Sequence, residues 1–559
     1  NLWAYGRPAG NPGNDNTNLF RYWDNGQTDS LGNQIITPTV TDTILVDGQS
    51  RIFVMSGDEG HVYNNYLRHK ADIFSLSGKI SHSFKEWHWG SLGLEYKRST
   101  IRYYQHLIPT NVWQGISGNG FIDAINYGYD DLGVESENTN WENEPKQPTN
   151  LSAYLDNIFK IGIIELRPSI RVDRWGLDAL RLRNPVRPLD PDTTNDVYAQ
   201  TLELSDMEKV DPNTKFSPRL SVGADIFNAT RVQANAGIYY QLPPYAYLYN
   251  DFGFFEYKIL TGGYFIPLAN SALKPEKSTQ VELEISHEFS RMVKVEVAGY
   301  LKWTRDQIQI STQPSLPRSF ATYRNSDKSD IQGFEVGLNI RDGRNKSFEL
   351  RYSFSNVDGI GSYPSTQSNI AWINTTPLDE MAPLDYDQRH KLTWILQLDY
   401  RGRGKYDQSF QILNEVLFNA VMSYNSSLPH TPIQISNEAS LFPFAPIAID
   451  ETNSRRMKDR LTIDIRVERN IFIRGFEISP FVTITNLLDK KNVSNVWSYS
   501  GLPNSTGWLQ TSDGQQFIQN TNTPDYNGLN GEEKYYIKEQ LPGHYYAPRQ
   551  FFFGLRGTF

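Results

Sequence analysis

Leu461-Thr462-Ile463-Asp464-Ile465-Arg466-Val467-Glu468 alternates apolar and polar residues without a break. In an extended chain this sets Leu461, Ile463, Ile465 and Val467 on one face and Thr462, Asp464, Arg466 and Glu468 on the other. The pattern recurs at 279–288, where Val281, Leu283 and Ile285 oppose Gln280, Glu282, Glu284 and Ser286, and at 293–303, where Val293, Val295 and Val297 oppose Lys294 and Glu296. It recurs again at 164–173, with Ile164, Leu166, Ile170 and Val172 against Glu165, Arg167, Ser169, Arg171 and Asp173. Helical periodicity is almost absent, so the chain reads as all-β. Strands are predicted at 74–84, 92–104, 154–160, 164–173, 216–226, 230–240, 279–288 and 293–303. Others follow at 334–341, 348–357, 391–401, 414–424, 461–468, 476–488 and 549–559, about fifteen in all.

The connections decide the architecture. Short ones (161–163, 227–229, 289–292) alternate with long ones (105–153, 174–215, 241–278) along the whole chain. A soluble sandwich gives no reason for that rhythm. A transmembrane antiparallel β-barrel does, with turns on the periplasmic side and long loops outside. Strands of about 9–11 residues suffice to span a bilayer when tilted. An Arg at the bilayer midplane costs about 2–4 kcal/mol on the lipid-facing side, so the apolar face meets lipid and the charged face lines the interior. Tyr96, Trp175, Tyr240, Trp303, Tyr400 and Trp497 near strand ends fit interfacial girdles.

Composition narrows the function. The 559 residues carry a net charge of −9 and contain no Cys, which removes disulfide scaffolds, thiolate metal sites and Cys nucleophiles. No Lys/Arg block suggests nucleic acid. No run of about 18 apolar residues suggests a membrane-crossing helix. The nine His are scattered, with no His-Glu-x-x-His, and no Gly-rich phosphate loop opens a helix. An enzyme is the poor reading, and no catalytic residue or resident cofactor is expected.

One feature of the count is awkward. With every long gap outside, the strand at 74–84 and the last strand at 549–559 run in the same direction, so they cannot close an all-antiparallel barrel against each other. Residues 1–73 read as loop, with 50–55 a weak strand candidate, and 74–559 as the barrel. The expectation is that an N-terminal part is carried elsewhere, unobserved or on a second chain.

Several segments resemble the barrel of TonB-dependent outer-membrane transporters. Ala269-Asn270-Ser271-Ala272-Leu273-Lys274-Pro275-Glu276 is similar to the family's Asn-Pro-x-Leu-Lys-Pro-Glu segment. Asn325 through Gly333-Phe334-Glu335 resembles its Asn-x-Gly-x-Glu pattern. Ile484-Thr485-Asn486-Leu487-Leu488-Asp489-Lys490-Lys491-Asn492 resembles its Asn-Leu-Phe-Asp-Lys motif, with Leu488 in place of Phe. The last strand ends on an aromatic, Phe559, the family's membrane-insertion signal. Pro383-Leu384-Asp385-Tyr386-Asp387-Gln388-Arg389-His390 and Asn453-Ser454-Arg455-Arg456-Met457 resemble the large Bacteroidota-type receptors that carry a carboxypeptidase-regulatory-like N-terminal domain.

The resemblance implies a 22-stranded barrel of which this chain is the C-terminal part, with a plug, a TonB-binding segment and the first strands not in this chain. It implies location in the bacterial outer membrane and energy-coupled import of a scarce nutrient (an oligosaccharide, a peptide or a metal chelate). Expected partners are outer-membrane lipid and lipopolysaccharide, TonB, a surface lipoprotein lid, and a second chain completing the barrel. A structural or adhesive outer-membrane barrel without active transport is the alternative.

The loops hold the candidate ligand residues. Tyr245, Tyr247 and Tyr249 leave a strand in the run Tyr239–Tyr249, where rigid aromatics suit stacking on a sugar or an apolar ligand face. Loop packing is their ordinary role. Trp113, Trp372 and Trp508 are further substrate-binding candidates. The acidic stretch with Asp130, Asp131, Glu135 and Glu137 contains no Lys or Arg and offers oxygen ligands to Ca2+. A solvated acidic loop, or one bridged to lipopolysaccharide through divalent cations, is the competing reading.

Overall fold

In a computed structural model the described residues are 42–46, 49–53, 66–106, 124–129, 135, 144–189, 201–227, 229–316, 318–342, 345–366, 379–401, 414–434, 448–524 and 528–558. Fifteen long strands dominate them. They are β1 (Tyr66–Lys85), β2 (His88–His106), β3 (Thr149–Ile161), β4 (Ile164–Gly176), β5 (Asn213–Ile226), β6 (Thr230–Gln241), β7 (Glu276–Ser290) and β8 (Val293–Gln313). Then come β9 (Phe320–Arg341), β10 (Lys346–Gly359), β11 (His390–Asp399), β12 (Val416–Asn425), β13 (Arg460–Arg469), β14 (Phe476–Thr485) and β15 (Gln550–Thr558). A separate hairpin joins Asp42–Val46 to Gln49–Phe53, overlapping the weak candidate at 50–55.

Each strand pairs antiparallel with its successor, from β1–β2 through to β14–β15. The strands thus follow one another in the order of a barrel wall. Among the described residues no ladder joins β1 to β15, and these two run in the same direction, as the connection rhythm demands. Both are exposed along most of their length, with Ile80 at 75% and Phe553 at 76%.

The register carries the apolar face across the sheet. Ile80 pairs with Leu92, Leu92 with Leu155, and Leu155 with Ile170. All four are exposed although they are among the most apolar side chains in the chain. The opposite face is polar and partly closed over. Ser152 is fully buried and donates to Asp173 Oδ1 at 2.5 Å, while Ser217 and Ser479 are equally hidden. A protein that exposes leucines and buries serines on one sheet is built for an apolar surround.

The structure departs from the expected strand limits at one hairpin. Residues 304–333, expected as a loop, continue β8 and β9 as tall strands that turn only at 314–319. Alternation fails there because both faces meet protein: Ile308, Ile310 and Phe320 are buried among loops. A bulge at Thr304–Gln307, with Asp306 at φ +59°, marks the shift in register.

The inside-out arrangement yields a prediction. Leu283→Arg, on the apolar face of β7, is expected to lower stability by about 2–4 kcal/mol, whereas Glu282→Gln on the other face leaves it nearly unchanged. Denaturant titration in lipid vesicles, followed through the 12 Trp, measures both.

Candidate functional site

Beyond the apolar belt the connections supply what the wall lacks, an apolar core shielded from water. One cluster joins Met207, Phe254, Phe255, Ile259, Leu268 and Phe320, and a second joins Leu177, Leu248, Leu273 and Ile308. Helix α1 (Phe252–Thr261) organises the first. Asp251 caps it by accepting from Phe254 N at 2.7 Å, which satisfies one of the free donors of the first turn. Gly262 ends it at φ +69°, and a Cβ there would lie 2.8 Å from Ser319 O.

The motif segments prove to be clasps that bind one another. Asn325 of β9 accepts from Lys274 N at 2.8 Å and donates to Lys274 O at 3.0 Å, so the two mid-barrel motifs lock together. Asn270 donates to Tyr323 O at 2.9 Å. The pair at 383–390 and 453–457 does the same. The Asp387 side chain is fully buried, ion-paired to Arg456 and accepting from Val357 N at 3.2 Å. Asn453 donates to Pro383 O at 2.7 Å and to Asp385 Oδ1 at 2.8 Å. In the motif at 484–492, Asn492 is almost fully buried and holds both Leu461 N and Leu461 O at 2.9 Å.

Between these loops lies a cavity of about 300 Å3. Its floor is apolar, with Leu180, Met207, Leu248, Phe252 and Phe255, and its polar wall brings Lys146 and Lys209 together with Glu144 and Asp178. Backbone bonds from Lys146 to Ile101 and from Gln147 N to Asp178 Oδ2 at 2.9 Å fix that wall. Burial pushes the Lys146 ammonium below its ordinary pKa, against the opposing charges of Glu144, Asp178 and Asp251. A second cavity of about 370 Å3 shares Leu180, Asn250 and Phe255 and adds Arg181, Arg183 and Arg324.

Of the expected ligand residues, Tyr249 lines the first cavity. It is nonetheless mostly buried, donates its hydroxyl to Leu177 O, and is stacked 5.5 Å from Tyr245. Burial raises its phenol pKa far above the usual value. Tyr247 packs on Tyr323 with ring centroids 4.5 Å apart. Trp508 sits apart from them, against Phe517 of the helix Ser512–Asn520 (α2) and Tyr535 of the helix Gly531–Glu539 (α3). Trp113, Trp372, Asp130, Asp131, Glu137 and Phe559 lie outside the described residues. Glu135 is paired with Lys70 at 2.6 Å, and among the described residues no cluster of three or more metal-ligating side chains occurs. Sequence reading missed Lys146, Met207, Phe252 and Phe255. The spacing Phe252, Phe255, Ile259 behind Asp251, closed by Gly262-Gly263, was the available signal for α1.

An antiparallel sheet with an apolar outer face, tall loops and a chambered loop core defines an outer-membrane β-barrel receptor. The chain belongs to the TonB dependent receptor-like β-barrel family, whose model matches residues 2–437. That family lies in the outer membrane and is one of receptors, not enzymes. The outer membrane transporter YddB from Escherichia coli is similar at TM-score 0.50 and 12% identity, over 92% of this chain and 56% of that one. The ferric yersiniabactin uptake receptor FyuA from Yersinia pestis matches at TM-score 0.45 and 12% identity, over 79% and 52%. FpvA of P. aeruginosa, in a complex with a heterologous pyoverdine, matches at TM-score 0.45 and 12% identity, over 80% and 49%. The chain spans about half the length of these structures. No curated protein sequence matches it.

Two outcomes are expected. Arg456→Gln strips the buried Asp387 of its main partner and is expected to cost on the order of 3–5 kcal/mol, read as a lowered unfolding midpoint. For Lys146, the folded pKa lies below the unfolded one, so the folded state binds fewer protons in the window between them and stability rises with pH there. Lys146→Met is therefore expected to be more stable than the wild type near pH 7, with the advantage shrinking as pH approaches the ordinary Lys pKa.

Proposed function

We propose that this chain forms the wall and outer mouth of an energy-coupled importer, and that its loop cavity takes an amphipathic ligand bearing both charges, such as a short peptide. The observation that carries the reading is the cavity itself, where two ammonium groups and two carboxylates stand over an apolar floor. A peptide offers a carboxylate to Lys146 and Lys209, an amine to Glu144 and Asp178, and a side chain to Phe252, Phe255 and Met207. An unsubstituted sugar would leave those charges without partners. The volume suits a ligand of two or three residues, at the small end of ligand sites.

Membership of the TonB-dependent receptor family supports coupling to the inner-membrane motor through TonB. The polar inner face supports passage of a hydrated ligand once the path is open. The apolar outer face places the carrier in lipid. The iron, copper and siderophore transporters among similar structures set a metal chelate as the rival cargo. The Lys146–Asp178 wall, lacking a cluster of chelate-binding cations on one side, favours the peptide.

Uptake of labelled di- and tripeptides by cells expressing the full-length protein tests this. Uptake is expected to stop when a protonophore collapses the proton gradient, and Phe252→Ala or Lys209→Gln is expected to weaken binding about tenfold, near 1.4 kcal/mol. Uptake that persists without the gradient, or liposome swelling typical of an open pore, would sink the reading.

A further inference from the structure

Above the apolar belt, the outward face of β1 and β2 changes character row by row. The register sets Ile80 beside Leu92, Leu76 beside Tyr96, Phe74 beside Arg98, Lys70 beside Arg102, and Arg68 beside Tyr104. All lie on the face that carries the lipid-directed leucines. The order is aliphatic, then aromatic girdle, then cationic, the sequence expected from hydrocarbon through interface to headgroup. Arg174 on β4 joins the same face, since it pairs with Leu151 and Leu151 pairs with Tyr96.

Five cations, Arg68, Lys70, Arg98, Arg102 and Arg174, thus face outward, against two acids. Those acids are Asp72, which is 3.4 Å from Arg102, and Glu135, which is 2.6 Å from Lys70 and 3.7 Å from Arg68. Arg98 reaches Gln147, a neutral partner. Arg102 is 6% exposed, and its Nε has no hydrogen-bond partner among the described residues. Beside it Tyr129 is fully buried under Arg68, whose guanidinium lies 4.8 Å from the ring, and the Tyr129 hydroxyl is likewise without a partner. A fold seldom leaves buried donors unmet beside an excess of positive charge at the level of lipid headgroups.

We propose that this face binds the phosphate groups of a phosphorylated glycolipid of the outer leaflet. Arginine forks take up phosphate oxygens in pairs, and Lys70 adds a point charge. The apolar rows beneath, from Phe74 to Ile80, receive the acyl chains of the same lipid. This rests on the outward register and the outer-membrane setting, and is independent of what the loop cavity carries.

The test is retention of phosphoglycolipid by the full-length protein in detergent, counted by native mass spectrometry. Arg68→Gln/Lys70→Gln/Arg98→Gln is expected to retain at least about fivefold less lipid than the wild type. The inward-facing triple variant Lys215→Gln/Arg219→Gln/Lys391→Gln retains the wild-type amount. Dephosphorylated glycolipid competes poorly, and excess inorganic phosphate leaves the lipid in place. Equal retention by the outward variant, equal competition by the dephosphorylated lipid, or full displacement by inorganic phosphate would each overturn the proposal. Salt dependence of the unaltered protein gives a reading free of folding defects. Retention should fall as screening rises, and retention indifferent to salt counts against the site.

Discussion

Lipid offers the backbone no hydrogen-bond partner, and that single constraint organises the molecule. Every amide crossing the belt must be answered by a neighbouring strand, so the fifteen strands run as one uninterrupted series of antiparallel ladders. Side chains are then free to sort by face alone. Alternation that would mark a half-buried strand in water here marks apolar-outside and charged-inside, and exposed Leu92, Leu155 and Leu283 are the ordinary state of the wall.

The inner face solves a second problem by local pairing. Because inward positions fall at every second residue, opposite charges two apart on one strand stand side by side: Arg171 with Asp173 at 3.0 Å, Lys294 with Glu296 at 2.7 Å, Arg351 with Glu349 at 2.9 Å. Each such pair adds about 0–1 kcal/mol at most. Their effect is to keep a densely charged wall near neutrality. Glu468 is the exception in depth. It is almost fully buried and draws Arg466, Arg401 and Arg556 from different strands and turns, at 2.8, 3.3 and 2.5 Å. Three cations on one carboxylate tie β13 to the edge strand β15, where ladder bonds come from one side only.

Strand positions were legible because period two is imposed by the lipid and tolerates few exceptions; the stretch 461–468 is β13 almost to the residue. The tall hairpin of β8 and β9 was not legible, since above the belt Ile308, Ile310 and Ala321 face protein on both sides and no alternation is required. Aromatics misdirect for a related reason. Tyr245, Tyr247 and Tyr249 look like a ligand platform in a linear sequence, yet Tyr245 and Tyr249 stack on each other and Tyr247 on Tyr323. The lining of the cavity comes from 144–146, 178–180, 204–210 and 248–255, segments with nothing in common until the fold brings them together.

The motif clasps explain how such scattered segments can hold a shaped chamber. A loop between two strands is pinned only at its ends, and its interior gains order by packing or by bonds to its neighbours. Asn325 holding Lys274, Asn453 holding Pro383 and Asn492 holding Leu461 each use a side-chain amide to satisfy backbone groups of another connection. An amide suits this task because it donates and accepts at once and carries no charge to be desolvated. With the bases of the loops fixed in this way, their tips can vary in sequence without loss of the frame. Ligand choice can therefore be set by residues such as Lys146, Phe252 and Phe255 that do no work in holding the barrel.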